Sequence, residues 1–213
     1  MKLYTFFRSS ASYRVRIALN LKGLEYEAAP VHLRRGGGEH LSAVYRKINP
    51  QALLPALEDG GRILTQSLAI IEYLEERHPE PPLLPKEPAD RAAVRAMALA
   101  LACEVHPIQN LRVLNYLKSD FQQSDEGANR WARHWIGLGL GALEEMARAA
   151  RRGRFSFGAA PTLADVCLVP QLANARRFGC DLAAYPTLLS IEAACAALPA
   201  FAKAAPENQP DAE

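Results

Sequence analysis

The chain has 213 residues, 49% of them hydrophobic, with 25 Lys plus Arg against 23 Asp plus Glu. That length accommodates one domain or two small ones around a buried core, and the composition excludes wholesale disorder. The near-balanced charge excludes a broad electrostatic footprint for nucleic acid, and no apolar run reaches the ~18 residues that a membrane-crossing helix needs.

The opening Lys2-Leu3-Tyr4-Thr5-Phe6-Phe7 reads as a strand over 2–7. Arg8-Ser9-Ser10-Ala11 then leads into a helix at about 11–22, with Val15, Ile17, Ala18, Leu19 and Leu21 as its apolar face and Gly23 as its stop. A strand-like run follows over 26–31. The three glycines of Arg34-Arg35-Gly36-Gly37-Gly38 lack the spacing of a phosphate-cradling motif and predict a surface loop. Two short strands, around 56–58 and 62–64, flank the turn Asp59-Gly60-Gly61. A helix over 67–77 turns Leu68, Ile70, Ile71 and Leu74 inward, with Ser67 as its expected cap.

His78-Pro79-Glu80-Pro81-Pro82-Leu83-Leu84-Pro85 cannot continue a helix and reads as a linker. Beyond it the periodicity is helical throughout, over 88–120, 125–150, 162–178, 187–196 and 199–204. Thr162 followed by Asp165 signals a capping box. The expectation is an α/β unit over 1–80, a linker over 81–86 and an all-α unit over 87–213. Cys103, Cys167, Cys180 and Cys195 form no C-x-x-C and are expected to be buried, reduced thiols, with no metal site. With no basic region followed by an apolar stretch at the N-terminus, a cytoplasmic location without membrane attachment is the expectation.

Three features carry chemistry. The corner Arg8-Ser9-Ser10-Ala11 stands at a helix N-terminus, where free N–H groups and the helix dipole attract an anion, a thiolate included. Serine there can cap the helix, or donate to a thiolate and lower its pKa. Leu54-Pro55 precedes a strand, and a cis bond there would turn the Leu54 backbone toward an extended peptide. Gln66-Ser67 opens a helix, where a hydroxyl and a backbone N–H suit a carboxylate, although a plain cap is the simpler role.

In this order and spacing, RSSASYRVRIAL, NPQALLPAL, QSLAIIEYLEE, HPIQNLRVL, GRFSFGAAPTLADVCLVPQLANARRF and a terminal QPD resemble the zeta class of glutathione transferases, which includes maleylacetoacetate and maleylpyruvate isomerases. The resemblance spans essentially the whole chain. It implies a thioredoxin-like N-terminal domain followed by a C-terminal helical bundle, with glutathione as cofactor and a homodimeric assembly. By position, Ser9, Ser10 and Ala11 would lie near the glutathione sulfur, and Leu54 would pair with the cysteinyl backbone. Gln66 and Ser67 would hold the γ-glutamyl end, and His40 and Gln51 would lie along the tripeptide. His106, Asn110 and Arg112 would face the cleft from the helical domain. The zeta pattern has Ser-Ser-Cys where this chain has Ser9-Ser10-Ala11, so glutathione supplies the only sulfur. Ser9-x-x-Ser12 stands where redox relatives carry C-x-x-C, which excludes disulfide chemistry at this corner.

The activity so implied is glutathione-dependent cis–trans isomerisation of a maleyl keto acid in aromatic-compound catabolism. A small dianionic substrate needs cations. Arg8 and, of the pair Arg176-Arg177, Arg177 are the candidates, because a guanidinium grips a carboxylate bidentately. Two other readings stay open: a general glutathione transferase conjugating or dehalogenating small electrophiles, which would consume glutathione steadily, and a non-catalytic binding protein, to which Ala11 lends weight.

Overall fold

The first strand, β1 (Lys2–Thr5), stops two residues short of the expected 2–7, because Phe6 and Phe7 leave the ladder for the core. Their rings meet edge to face at 4.7 Å and pack with Tyr45 and Leu54. The computed structural model describes residues 1–213, and the chain divides into two compact units, Met1–Pro82 with Ala197–Glu213, and Leu83–Ala196.

In the first unit β1 sits inside a four-stranded sheet of order β2-β1-β3-β4. β2 (Glu27–Pro30) runs parallel to it, with Leu3 beside Ala28, and β3 (Ala56–Asp59) runs antiparallel, with Leu3 beside Leu57. β4 (Arg62–Thr65) closes the hairpin on β3 around the Gly60-Gly61 turn. A parallel neighbour demands a crossover, and α1 (Ser10–Leu21) supplies it. Its end is a Schellman motif: Gly23, at φ 65°, donates to the Asn20 carbonyl, and Leu24 donates to that of Leu19.

Every residue of α1 from Ser10 to Leu19 is buried, Arg14 and Arg16 included, so the expectation of one apolar face is too narrow. The reason is that α1 is packed by two helices, α3 (Ser67–Arg77) and α9 (Pro199–Ala204). The segment 197–213 therefore belongs with the first unit by contact, whereas the sequence placed it in a helical unit running to 213. A short helix, α2 (Ala43–Ile48), went unread because it buries only Tyr45. α3 has the expected span, but its cap is Gln66, and Ser67 is its first residue. Lys22 anchors the proline-rich segment. Its ammonium contacts Glu75 at 2.7 Å and donates to the His78 and Pro81 carbonyls at 2.6 and 3.0 Å.

The second unit is helical. The helix expected over 88–120 is broken into α4 (Pro88–Leu99), a π segment over Ala100–Val105, a 3-10 turn over Pro107–Gln109, and α5 (Leu111–Ser119). Pro107 is the cause: it donates no N–H, and its ring clashes with the preceding turn. α6 (Asp125–Ala150), α7 (Leu163–Arg177) and α8 (Pro186–Ala196) complete the unit, with α7 packed on α4 and α8. The capping box forms as read: Asp165, fully buried, accepts from the Thr162 N–H at 2.7 Å and also from the Ser156 N–H at 2.9 Å. All four cysteines are free. Cys167 and Cys195 are buried, Cys180 is half-buried, and Cys103, contrary to expectation, is exposed. No helix is long and apolar enough to cross a membrane.

Glu144 of α6 is buried and accepts the Thr187 and Leu188 N–H groups, at 2.9 and 3.0 Å, where α8 begins. Burial pushes its pKa up, but the Thr187 hydroxyl, those two N–H groups and Arg148 outweigh burial and hold it below the ordinary range. A depressed folded pKa gives stability that is present above the unfolded pKa and lost as pH falls through the folded one. Glu144→Gln is expected to cost about 1–3 kcal/mol at neutral pH, with the deficit shrinking under acidic conditions. Urea denaturation at both pH values checks this, and a deficit independent of pH would refute the electrostatic account.

Candidate active site

Between β1 and α1 the chain makes a turn over Phe6–Ser9, closed by the Ser9 N–H on the Phe6 carbonyl at 3.0 Å. Ser9 caps α1: its Oγ accepts the Ser12 N–H at 3.2 Å and its carbonyl the Tyr13 N–H at 2.8 Å. Ser10 and Ala11 are the first two helical residues, both buried. The first turn holds no acidic residue, so no carboxylate of α1 itself meets the positive end of the dipole. Arg8 is exposed, with its guanidinium 4.9 Å over the Phe7 ring.

The turn is held from beneath by Arg16. This side chain is fully buried and donates to the Ala204 carbonyl at 3.0 Å, Thr5 Oγ1 at 3.0 Å, the Phe6 carbonyl at 3.3 Å and the Phe7 carbonyl at 3.0 Å. Burial pushes its pKa down to about 10, which still leaves it charged at neutral pH. Asp211 holds the turn from another side, its Oδ2 accepting the Phe7 N–H at 3.0 Å.

A second polar cluster lies where β3 and α3 begin. Tyr45 Oη and Asn49 Nδ2 both donate to the Leu53 carbonyl at 2.8 Å, which fixes the chain leading to Leu54. The Leu54-Pro55 bond is cis, as the sequence suggested. Gln66 has φ 69° and ψ 117°, a backbone that L residues rarely adopt and that marks functional sites when the surroundings enforce it. Its Nε2 donates to Gln51 Oε1 at 2.7 Å. Ser67 is buried, and Arg14 Nη1 donates to its Oγ at 3.3 Å, so a buried cation backs the N-terminus of α3. A helix N-terminus, a hydroxyl and a buried guanidinium together suit a carboxylate.

His40 is half-buried in a 3-10 turn over Glu39–Leu41. Burial, then the Arg46 charge, push its pKa below the usual value against a bond to the His32 backbone, so it is neutral at neutral pH. Its Nδ1 is buried without a hydrogen-bond partner in the protein. Gly38 is required beside it: φ is 111°, and a Cβ would lie 2.6 Å from the imidazole.

The remaining candidates belong to the second unit. His106 is half-buried where the π segment meets Pro107. Asn110 caps α5, accepting the N–H of exposed Arg112 at 3.3 Å. At the end of α7 both prongs of Arg176 are taken by Glu192, at 2.5 Å each. Arg177 is exposed, bonds Asn174 Oδ1 and lies 5.5 Å from the Phe178 ring.

The structure thus gathers Arg8, Ser9, Ser10 and Ala11 at one helix start and Gln51, Gln66 and Ser67 at another. Sequence reasoning missed Arg14, Arg16 and Asp211. The available signal was the alternation Tyr13-Arg14-Val15-Arg16-Ile17, two cations in a helix otherwise read as amphipathic.

Residues 3–82 match the glutathione S-transferase N-terminal domain. A probable maleylacetoacetate isomerase of Vibrio cholerae is 54% identical over 210 residues, 99% of this chain and 97% of the relative. The holo structure of a maleyl pyruvate isomerase, a bacterial glutathione S-transferase in zeta class, superposes with a TM-score of 0.97 at 49% identity, covering 100% of both chains. A maleylacetoacetate isomerase of Anaeromyxobacter dehalogenans with glutathione bound in its active site gives 0.89 at 49% identity, covering 100% of this chain and 97% of that one. With the thioredoxin-like sheet, the two helix starts and full-length similarity in agreement, the chain belongs to the zeta-class glutathione transferase family of maleylacetoacetate and maleylpyruvate isomerases.

Proposed function

We propose that the protein is a glutathione-dependent cis–trans isomerase that converts a maleyl keto acid, maleylacetoacetate or maleylpyruvate, to its fumaryl form. The observation that carries this reading is the buried Ser10 at the positive end of α1, beside a residue, Ala11, that has no reactive atom. The residues fit glutathione: a thiolate suits the α1 corner, a carboxylate suits Gln66 and Ser67, and His40 Nδ1 offers an unused polar atom. When bound, glutathione supplies a thiolate that adds reversibly to the maleyl double bond, which permits rotation before the thiolate leaves.

The protein's own groups hold charge and geometry. Ser10 donates its O–H to the sulfur and favours the ionised form, while Ser9 keeps the helix start in place. Arg14 donates to Ser67 Oγ, so the Ser67 hydroxyl proton remains to donate to the γ-glutamyl carboxylate. Arg8 and Arg177 hold the substrate carboxylates and steady the negative charge that develops on the keto-acid portion. His106, Asn110 and Arg112 line the substrate side in this reading, as Gln51 and the Leu54 backbone line the tripeptide.

The test is one assay that follows maleyl isomerisation and glutathione loss together. Isomerisation that requires glutathione without consuming it is expected; steady consumption would favour the conjugating or dehalogenating alternative. Arg8→Ala and Arg177→Ala are each expected to lower efficiency about tenfold or more, roughly 1.4 kcal/mol, with glutathione affinity barely moved. Equal losses in both would reassign them to the tripeptide or the fold.

Homodimerisation and cytoplasmic residence complete the proposal, supported by the family. The small residues of α4 lend the dimer little support, since Ala98 is buried in its own unit while Ala96 is exposed. Sedimentation at micromolar concentration is expected to give twice the 23.4 kDa chain mass, and a stable monomer would refute the dimer.

A further inference from the structure

The Phe6–Ser9 turn has no sheet partner beyond the Val31 N–H on the Thr5 carbonyl, where the ladder with β2 ends. Its polar backbone groups are nevertheless engaged. The Phe6 and Phe7 carbonyls accept from Arg16, and the N–H of Phe7, a residue only 4% exposed, donates to Asp211 Oδ2. Arg16 also donates to Ala204, the last residue of α9, so the segment that carries Asp211 meets this turn once directly and once through Arg16. The opposite charges of Arg16 and Asp211 favour each other across it. Arg8, Ser9 and Ser10 follow directly.

We propose that Asp211, through the Phe7 N–H, is a positioning residue for the Arg8-Ser9-Ser10 corner, so that the C-terminal segment sets how the glutathione sulfur is held. The proposal rests on the reading of that corner as the thiolate site. Without the carboxylate the Phe7 N–H becomes a buried donor with no partner, and the turn relaxes to hydrate it. Arg16 still anchors the carbonyl side, so the turn shifts without unravelling. A displacement of a fraction of an ångström at Ser10 weakens a hydrogen bond to sulfur, and geometry of this kind governs rate steeply. Gln66 bonds Gln51, and Ser67 accepts from Arg14, bonds that do not pass through Asp211, so the hold on the rest of the tripeptide persists. Asn at 211 keeps an oxygen for the Phe7 N–H. Its amide nitrogen takes the place of Oδ1, which has no hydrogen-bond partner in the protein, so no existing bond is displaced.

The full-length wild type is compared with Asp211→Ala, Asp211→Asn and Ser10→Ala. Three quantities are read: kcat, glutathione affinity by calorimetry, and the thiolate fraction of bound glutathione by ultraviolet absorbance at one fixed pH. Asp211→Ala is expected to lower kcat about tenfold or more and to lower the thiolate fraction, with affinity within about threefold; Asp211→Asn restores most of both. Should Asp211→Ala not fold, Asp211→Glu replaces it: one methylene longer, it keeps the charge but displaces the turn, and the same split is expected. If kcat and thiolate fraction are unchanged in Asp211→Ala while Ser10→Ala lowers the thiolate fraction, the positioning role is overturned and the corner stands. Parallel losses of kcat and affinity, equal in Asp211→Ala and Asp211→Asn, also overturn it. An unchanged thiolate fraction in Ser10→Ala overturns the corner itself, and the proposal with it.

Discussion

Arg16→Met is expected to destabilise the first unit by about 3–5 kcal/mol, the range for removing one partner from a buried charged network. Two opposed terms decide the size. Burying a guanidinium is costly, and its pKa, pushed down to about 10, records that cost, which methionine avoids. Against this, the Phe6, Phe7 and Ala204 carbonyls and Thr5 Oγ1 lose their donor together, and each buried acceptor left unsatisfied costs about 1–3 kcal/mol. The second term wins because four acceptors depend on one side chain. Lysine is no remedy, since a single ammonium cannot span groups that a planar fork reaches. Equilibrium urea denaturation followed at the first unit checks the figure. A loss under about 1 kcal/mol would mean that the turn and α9 find other donors, water included.

Ser10→Ala is expected to lower the catalytic efficiency by about ten- to a hundredfold, the loss of one charge-assisted hydrogen bond of roughly 1.5–3 kcal/mol. Ala11→Cys, one residue along, is expected to change it by less than about threefold, because a thiol is a weak donor. The asymmetry follows from what each position offers. Ser10 brings a hydroxyl to the helix start, whereas a cysteine at 11 would add a second sulfur to a reaction that needs one. Alanine also removes a thiol that an electrophilic substrate could alkylate. Glutathione-dependent isomerisation by wild type and both variants is the measurement. Activity present only in Ala11→Cys would show that the family's cysteine is essential and that this chain had lost its chemistry.

The sheet and α3 were legible because short apolar runs bounded by Gly and Pro turns leave little freedom of assignment; Asp59-Gly60-Gly61 marks its hairpin outright. The break after α4 was legible only in part. Pro107 announces it, but the helical pattern continues across it and masked the π segment. α2 had no signal because one buried residue in six makes no period. Periodicity also reported the wrong breadth for α1. It counts apolar residues, and a helix enclosed by neighbours can bury arginines when carbonyls receive them. At the site, the two helix starts and the cis bond that turns the Leu54 backbone were readable from the residues themselves, and the roles of His40 and Gln51 came from the family resemblance. The Arg14–Ser67 and Asp211–Phe7 contacts join positions 53 and 204 residues apart, a separation that no local pattern encodes.

That last separation bears on the order in which the molecule can form. Arg16 leaves the ribosome long before Ala204, and Phe7 long before Asp211, with the whole helical unit synthesised in between. Until those residues arrive, the guanidinium in α1 lacks one of its acceptors and the turn before Ser9 lacks the acceptor for its N–H. The α/β unit, although its sheet is encoded first, therefore cannot complete its packing until the C-terminal segment has been made. A nascent chain that stops before residue 199 carries Ser9 and Ser10 at the start of a helix that has not yet been fully seated.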